Sequence, residues 1–102
     1  MKNVTVLGAG TWGLALCKVL WDNGHQVVLW SNMASQVQAL QTTRSNPGYL
    51  PGFLLPESIE VTGDLARATA HADAVVMVVP SPAVRSVAHQ LQGLLRPETL
   101  LI

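Results

Sequence analysis

The chain has 102 residues, 49% of them hydrophobic and 12% charged, and its six basic and six acidic side chains cancel. Charge is about half of the ~25% usual in globular domains, which excludes disorder, because a disordered segment combines few apolar residues with many charges. It excludes a nucleic-acid footprint as well, since no basic excess is present to neutralise phosphates.

Val4-Thr5-Val6-Leu7 is a β-branched run stopped by Gly8 and predicts a first strand. From Gly13, Leu16, Cys17 and Leu20 recur at helical spacing with Lys18 and Asp22 on the other face, so a helix runs to Asn23-Gly24. Val27 to Trp30 is a second strand, and Val37 and Leu40 mark a weaker helix between Met33 and Thr43. Residues 44–58 hold three of the six prolines (Pro47, Pro51, Pro56) with Gly48 and Gly52, and read as a long loop of the kind that often carries function. Ile59 to Thr62 resumes as a strand, and Asp64 is placed to cap a short helix through His71. Ala74 to Val79 is apolar on both faces, as a central parallel strand requires. Ser81-Pro82 reads as an N-cap with proline at the first helical position, and Val84, Val87, Leu91 and Leu94 form the stripe of that helix. Thr99 to Ile102 begins another strand.

Strands alternating with helices, joined by right-handed crossovers, give an α/β fold with a doubly wound parallel sheet. One domain spans residues 1–102 and is truncated at its fifth strand. The high apolar fraction of so short a chain reads as surface that belongs against something absent, so a larger parent protein is expected.

Gly8-Ala9-Gly10-Thr11-Trp12-Gly13 is a GxGxxG. Alone that spacing is weak, but here it follows a predicted strand and opens a predicted helix, the context that gives it meaning. Gly8 then makes the tight turn, Gly10 lets backbone approach a pyrophosphate, and Gly13 lets the helix pack close to the sheet. Backbone amides and the positive end of the helix dipole can hold a dinucleotide's phosphates without any net basic charge. This is the Rossmann-like arrangement. An acidic residue about 20 positions further on would grip the ribose 2′-hydroxyl and favour NAD, but Trp30-Ser31-Asn32-Met33 offers none. Asn32 can bond either a hydroxyl or a phosphate, and no arginine adjoins it. NAD and NADP both stay open, with discrimination expected within about tenfold.

The other reactive side chains read more plainly. His25, His71 and His89 are scattered with no cysteine or carboxylate at ligand spacing, so no metal site is expected. Ser81 has no supporting base, and Lys2 and Lys18 are far from any hydride-transfer edge, so no catalytic residue is nominated. Arg44, beside the proline-rich loop, is a candidate phosphate contact, though a solvated loop charge explains it as well. Trp12 is balanced between a cofactor contact and packing over the helix start; Trp21 reads as surface packing and Trp30 as core. Cys17 stands alone and reads as an inert core residue, which fits a reducing cytoplasm. Glycines interrupt the N-terminal apolar stretch, so it is no signal peptide, and the longest clean apolar run is far short of the ~20 residues of a membrane span.

The loop from Gly8 to Leu16, with its hydroxyl-then-aromatic pair, resembles that of the bacterial-type NAD(P)-dependent glycerol-3-phosphate dehydrogenases. So do Asn23-Gly24-His25 leading to Trp30, Asn46 through Tyr49-Leu50-Pro51-Gly52 with Leu55-Pro56, Thr62 to Leu65, and Val79-Pro80-Ser81. By that resemblance Thr11, Trp12, Asn32 and Tyr49 contact the dinucleotide, and Pro80 and Ser81 border its nicotinamide half. Where this chain has Asn32 the family more often has arginine or histidine. The resemblance also implies an oxidoreductase of glycerophospholipid metabolism that interconverts glycerol 3-phosphate and dihydroxyacetone phosphate. That chemistry belongs to a lysine-glycine pair beyond Ile102 and a helical C-terminal substrate domain, both absent here, so these 102 residues are expected to be inactive. The resemblance allows a homodimer for the full-length enzyme. A non-enzymatic nucleotide sensor, or the cofactor domain of a related dehydrogenase, are the alternatives.

Overall fold

Alternate residues of the first two strands face opposite layers of the core. Val6 and Leu29 pack on one side with Leu14, Cys17, Val37 and Leu40, while Leu7 and Trp30 pack on the other with Leu65, Val75, Val87 and Leu91. This two-residue alternation under helices on both faces is what a doubly wound sheet needs. The computed structural model describes residues 2–44, 54–79, 81–95 and 97–102. In chain order they form β1 (Asn3–Leu7), α1 (Thr11–Asp22), β2 (Gln26–Trp30), α2 (Ala34–Thr43), β3 (Glu60–Thr62), α3 (Leu65–Thr69), β4 (Ala74–Met77), α4 (Ser81–Leu91) and β5 (Leu100–Leu101). The five strands make one parallel sheet in the order β3-β2-β1-β4-β5. Strand order therefore reverses beside β1, which pairs with β2 on one edge and β4 on the other. Leu7, Leu14, Leu29, Leu40 and Ile59 are fully buried, each worth about 1.5–3 kcal/mol of transfer free energy.

Several boundaries differ from the sequence expectation. Helix α1 begins at Thr11 rather than Gly13, because Gly10 is its extended N-cap and the Leu14 amide already donates to the Gly10 carbonyl at 3.0 Å. At its other end Gly24 takes a left-handed turn (φ 86°), and the Asn23 side-chain amide donates to the Val19 carbonyl at 2.7 Å. Strand β4 stops at Met77, two residues before Val79, where the chain crosses over the glycine loop. Asp64 caps α3 as expected, accepting from the Arg67 amide at 3.2 Å, but that helix ends at Thr69, whose carbonyl accepts from the Ala72 amide in a closing turn. Ser81 is the first residue of α4 rather than the residue preceding it. Among the described residues no helix is long and apolar enough to cross a membrane.

Candidate functional site

Strand β1 delivers the chain to Gly8, which has φ 122°, a conformation that L side chains rarely adopt. The Gly8 amide donates to the Trp30 carbonyl at 2.8 Å, locking the start of the loop to the end of β2. A Cβ on Gly8 would stand 2.6 Å from the Val78 carbonyl oxygen, and one on Gly13 would stand 1.9 Å from the Gly8 carbonyl oxygen. A Cβ on Gly10 would meet nothing within 4 Å. Two glycines thus let protein pack on protein, while the third faces open space.

That space is a cleft of about 790 Å³ at the carboxyl ends of β1, β2 and β4. It lies where strand order reverses, the general position for ligands in open α/β sheets. Gly8, Gly10, Thr11, Trp12, Gly13 and Asn32 all line it, so the structure brings together every sequence-nominated residue of these two loops. Trp12 stands 80% exposed at the mouth. The opposite wall is Met77, Val78, Val79 and Ala83. Tyr49 and Pro80 lie outside the described residues, and of Ser81 only its place at the start of α4 is described.

Sequence reasoning missed Gln36. Its Nε2 donates to the Ala9 carbonyl at 3.3 Å, and its Oε1 accepts from the Ser31 hydroxyl at 2.6 Å. The Ser31 oxygen in turn accepts from the Met33 amide at 3.1 Å. One side chain on α2 thereby ties the glycine loop to the loop after β2. The signal was one of three glutamines on a weak helix, Gln36 in its first turn, which no motif singles out.

Arg44 turns out to be structural. It ends α2 in the left-handed region (φ 58°). Its Nε donates to the Leu55 carbonyl at 3.4 Å, and its Nη2 donates to the carbonyls of Pro56 (2.5 Å) and Ile59. The guanidinium stitches residues 55–59 to α2 and does not line the cleft.

The tryptophans separate as expected. Trp21 is at the surface, its Nε1 donating to the Ser58 hydroxyl at 2.6 Å, and Trp30 is core. The buried Trp30 Nε1, however, has no hydrogen-bond partner among the described residues. Burial pushes the Cys17 thiol up to about 12, leaving it unreactive at neutral pH. A second cavity, of about 470 Å³, opens at the opposite end of the sheet, bordered by Asn3, Gln26, Glu60, Arg67 and His71. It lies at the amino ends of β1 and β2, and the Arg67–Glu60 ion pair at its rim is complete.

Among the described residues no charged side chain lines the large cleft. Anion binding there falls to backbone amides of the first turn of α1, which lack intrahelical partners by construction, and to the helix dipole. A pyrophosphate fits such a site: the approach over Gly10 is clear, and the field is positive without a cation.

The model of one protein family, the NAD-dependent glycerol-3-phosphate dehydrogenase N-terminus, matches residues 3–102. The NAD(P)+ glycerol-3-phosphate dehydrogenase of Enterococcus faecalis is 45% identical over 99% of this chain and 30% of its own length. Its counterpart in Geobacillus thermodenitrificans is 52% identical over 85% of this chain and 25% of its own length. The crystal structure of glycerol-3-phosphate dehydrogenase from Coxiella burnetii superposes with a TM-score of 0.92 at 33% identity, covering 98% of this chain and 31% of that one. The chain spans 25–31% of the length of these relatives.

Proposed function

This chain belongs to the NAD-dependent glycerol-3-phosphate dehydrogenase N-terminal family, and from that premise we propose that it holds the dinucleotide for an enzyme interconverting sn-glycerol 3-phosphate and dihydroxyacetone phosphate. The nicotinamide supplies or accepts the hydride in such a reaction. The chain's own residues bind and orient. The loop from Gly8 to Gly13 takes the pyrophosphate, with Thr11 and Trp12 at its rim, and Asn32 takes the adenosine ribose. Tyr49, Pro80 and Ser81 enter by family resemblance, the last two at the nicotinamide half. A helical substrate domain in the remainder of the relatives' length would supply the proton donor and the substrate's phosphate contacts. The cytoplasm is the compartment that the lone Cys17 fits best.

The observation that carries this reading is the division of labour among the glycines: Gly8 and Gly13 are crowded by backbone, and Gly10 faces vacant space at the start of a helix. It sets a direct test. Gly10 has φ −75°, which any residue accepts, so Gly10→Val should still fold, with its unfolding midpoint lowered only by the ~1 kcal/mol that valine costs at an N-cap. Its side chain would nevertheless fill the pyrophosphate approach. Calorimetric titration with NAD should show binding to the parent chain and none to the variant. Equal affinity for the two would overturn the assignment.

A further inference from the structure

Ala9 sits between two glycines, Gly8 and Gly10, in a segment with few side chains to restrain it. A peptide unit beside glycine can rotate as a whole and exchange the places of its carbonyl and its amide, because glycine accepts both signs of φ. The two edges of that unit are opposite in partial charge. The orientation of the Ala9–Gly10 peptide therefore decides what the approach over Gly10 presents to an anion.

A chain of side-chain hydrogen bonds holds one orientation. The Met33 amide donates to the Ser31 oxygen at 3.1 Å, the Ser31 hydroxyl donates to Gln36 Oε1 at 2.6 Å, and Gln36 Nε2 donates to the Ala9 carbonyl at 3.3 Å. All three run in the same direction, and reversing the Gln36 amide would set its oxygen against the Ala9 carbonyl oxygen. The anchors are firm. Ser31 and Ala9 are buried, the Ser31 amide donates to the Thr62 carbonyl at 3.3 Å, and Val37 and Leu40 seat α2 in the core. The Ala9–Gly10 bond is trans. With the Ala9 carbonyl drawn toward α2, the Gly10 N–H of the same plane points the opposite way.

We infer that Gln36 is a positioning residue for the pyrophosphate: it latches the Ala9–Gly10 peptide so that no carbonyl turns toward the anion, and Ser31 sets the latch. The glycines clear the approach, and Gln36 restores the rigidity they give up. The loop then need not be ordered at the moment of binding. This inference rests on the dinucleotide reading above.

The test is calorimetric titration of the 102-residue chain and its variants with NAD, with urea unfolding followed in parallel. Gln36→Leu, which keeps the bulk but cannot donate, should bind NAD about tenfold more weakly, the ratio that one lost hydrogen bond gives. Ser31→Ala leaves Gln36 in place but unset, and should lose about threefold. The double variant should bind no more weakly than Gln36→Leu, because both residues act through one chain of bonds. Losses that multiply would overturn the shared latch. Lower stability of Gln36→Leu with parental affinity would make the residue structural only and overturn the inference, leaving the dinucleotide site standing. Should Gln36→Leu fail to fold, Ser31→Ala decides alone, and parental affinity there overturns the latch. Failure of the parent chain to bind NAD at millimolar concentration overturns the dinucleotide reading itself. In proton–nitrogen correlation spectra the Gly10 amide signal should broaden in Gln36→Leu as the peptide exchanges between two orientations, and sharpen again when NAD saturates the site. A signal as sharp as the parent's without NAD would overturn the latch, because a structural role alone leaves it unmoved.

Discussion

Arg44 and Cys17 show how a residue's neighbours decide what its side chain can do. Arg44 spends its donors on backbone carbonyls at residues 55, 56 and 59, so its loss should be felt in stability. Arg44→Ala leaves those carbonyls short of a donor and should cost about 1–3 kcal/mol, read from urea unfolding, with NAD affinity little changed. Cys17 makes a pH prediction. Its thiol titrates near the ordinary value of 9.0 when unfolded and at about 12 when buried. The unfolded chain therefore releases that proton first, and stability should fall as pH rises from 9 toward 12. The slope should approach about 1.4 kcal/mol per pH unit, and Cys17→Ala should remove it relative to the parent. None of this partnering could be read beforehand. A guanidinium meeting carbonyls 11 to 15 residues away leaves no periodic mark in the sequence, and neither does the Gln36 bridge across 27 residues to Ala9. The glycine loop was legible because its demands are local: a turn at Gly8, a close packing at Gly13 and an open approach at Gly10 within six residues.

At the scale of elements, alternation and turn chemistry located every described strand and helix, whereas the ends shifted by one to three residues. Helix α1 gained two residues because its cap lies inside the glycine loop, and β4 lost its last two residues because the Val78 carbonyl must pass over Gly8. Helix α4 departs from its expected stripe in two places, the first being that it ends at Leu91 and leaves Leu94 in the turn beyond it. Val87 and Leu91 are buried, but Val84 is 40% exposed, one turn nearer the open cleft. The cap of α3 was read correctly from Asp64 and has a measurable share in that short helix. Asp64→Ala should cost about 1 kcal/mol, checked by the shift in denaturation midpoint, whereas Asp64→Asn or Asp64→Ser should restore most of it.

At the scale of the whole molecule the described lining of the cleft is suited to binding and orienting, and among the described residues it holds no group with which to move a proton. Reduction of a carbonyl by hydride needs a positioned acid and a stabiliser for the developing oxyanion, and among the described residues no titratable side chain lines this cavity. The 102-residue chain should show no NADH oxidation with dihydroxyacetone phosphate in a spectrophotometric assay, even at cofactor concentrations that fill the site. Turnover would require a catalytic group outside the described lining. The sheet order and the reversal beside β1 account for where the cleft opens, and neither was written in any single segment; they follow from how the crossovers stack.

The placement of Trp12 and Trp30 on one cleft has an optical consequence. One indole stands in solvent at the mouth and the other is enclosed at the base, only 2% exposed. Collisional quenchers such as acrylamide should reach the first and spare the second, so the two emit as spectrally separable populations once Trp21 is replaced by phenylalanine. A molecule entering the cleft would shield the outer indole, while the inner one stays enclosed in the core. The chain thus carries its own unlabelled reporter of occupancy, with a blue-shifted internal reference built into the same cavity.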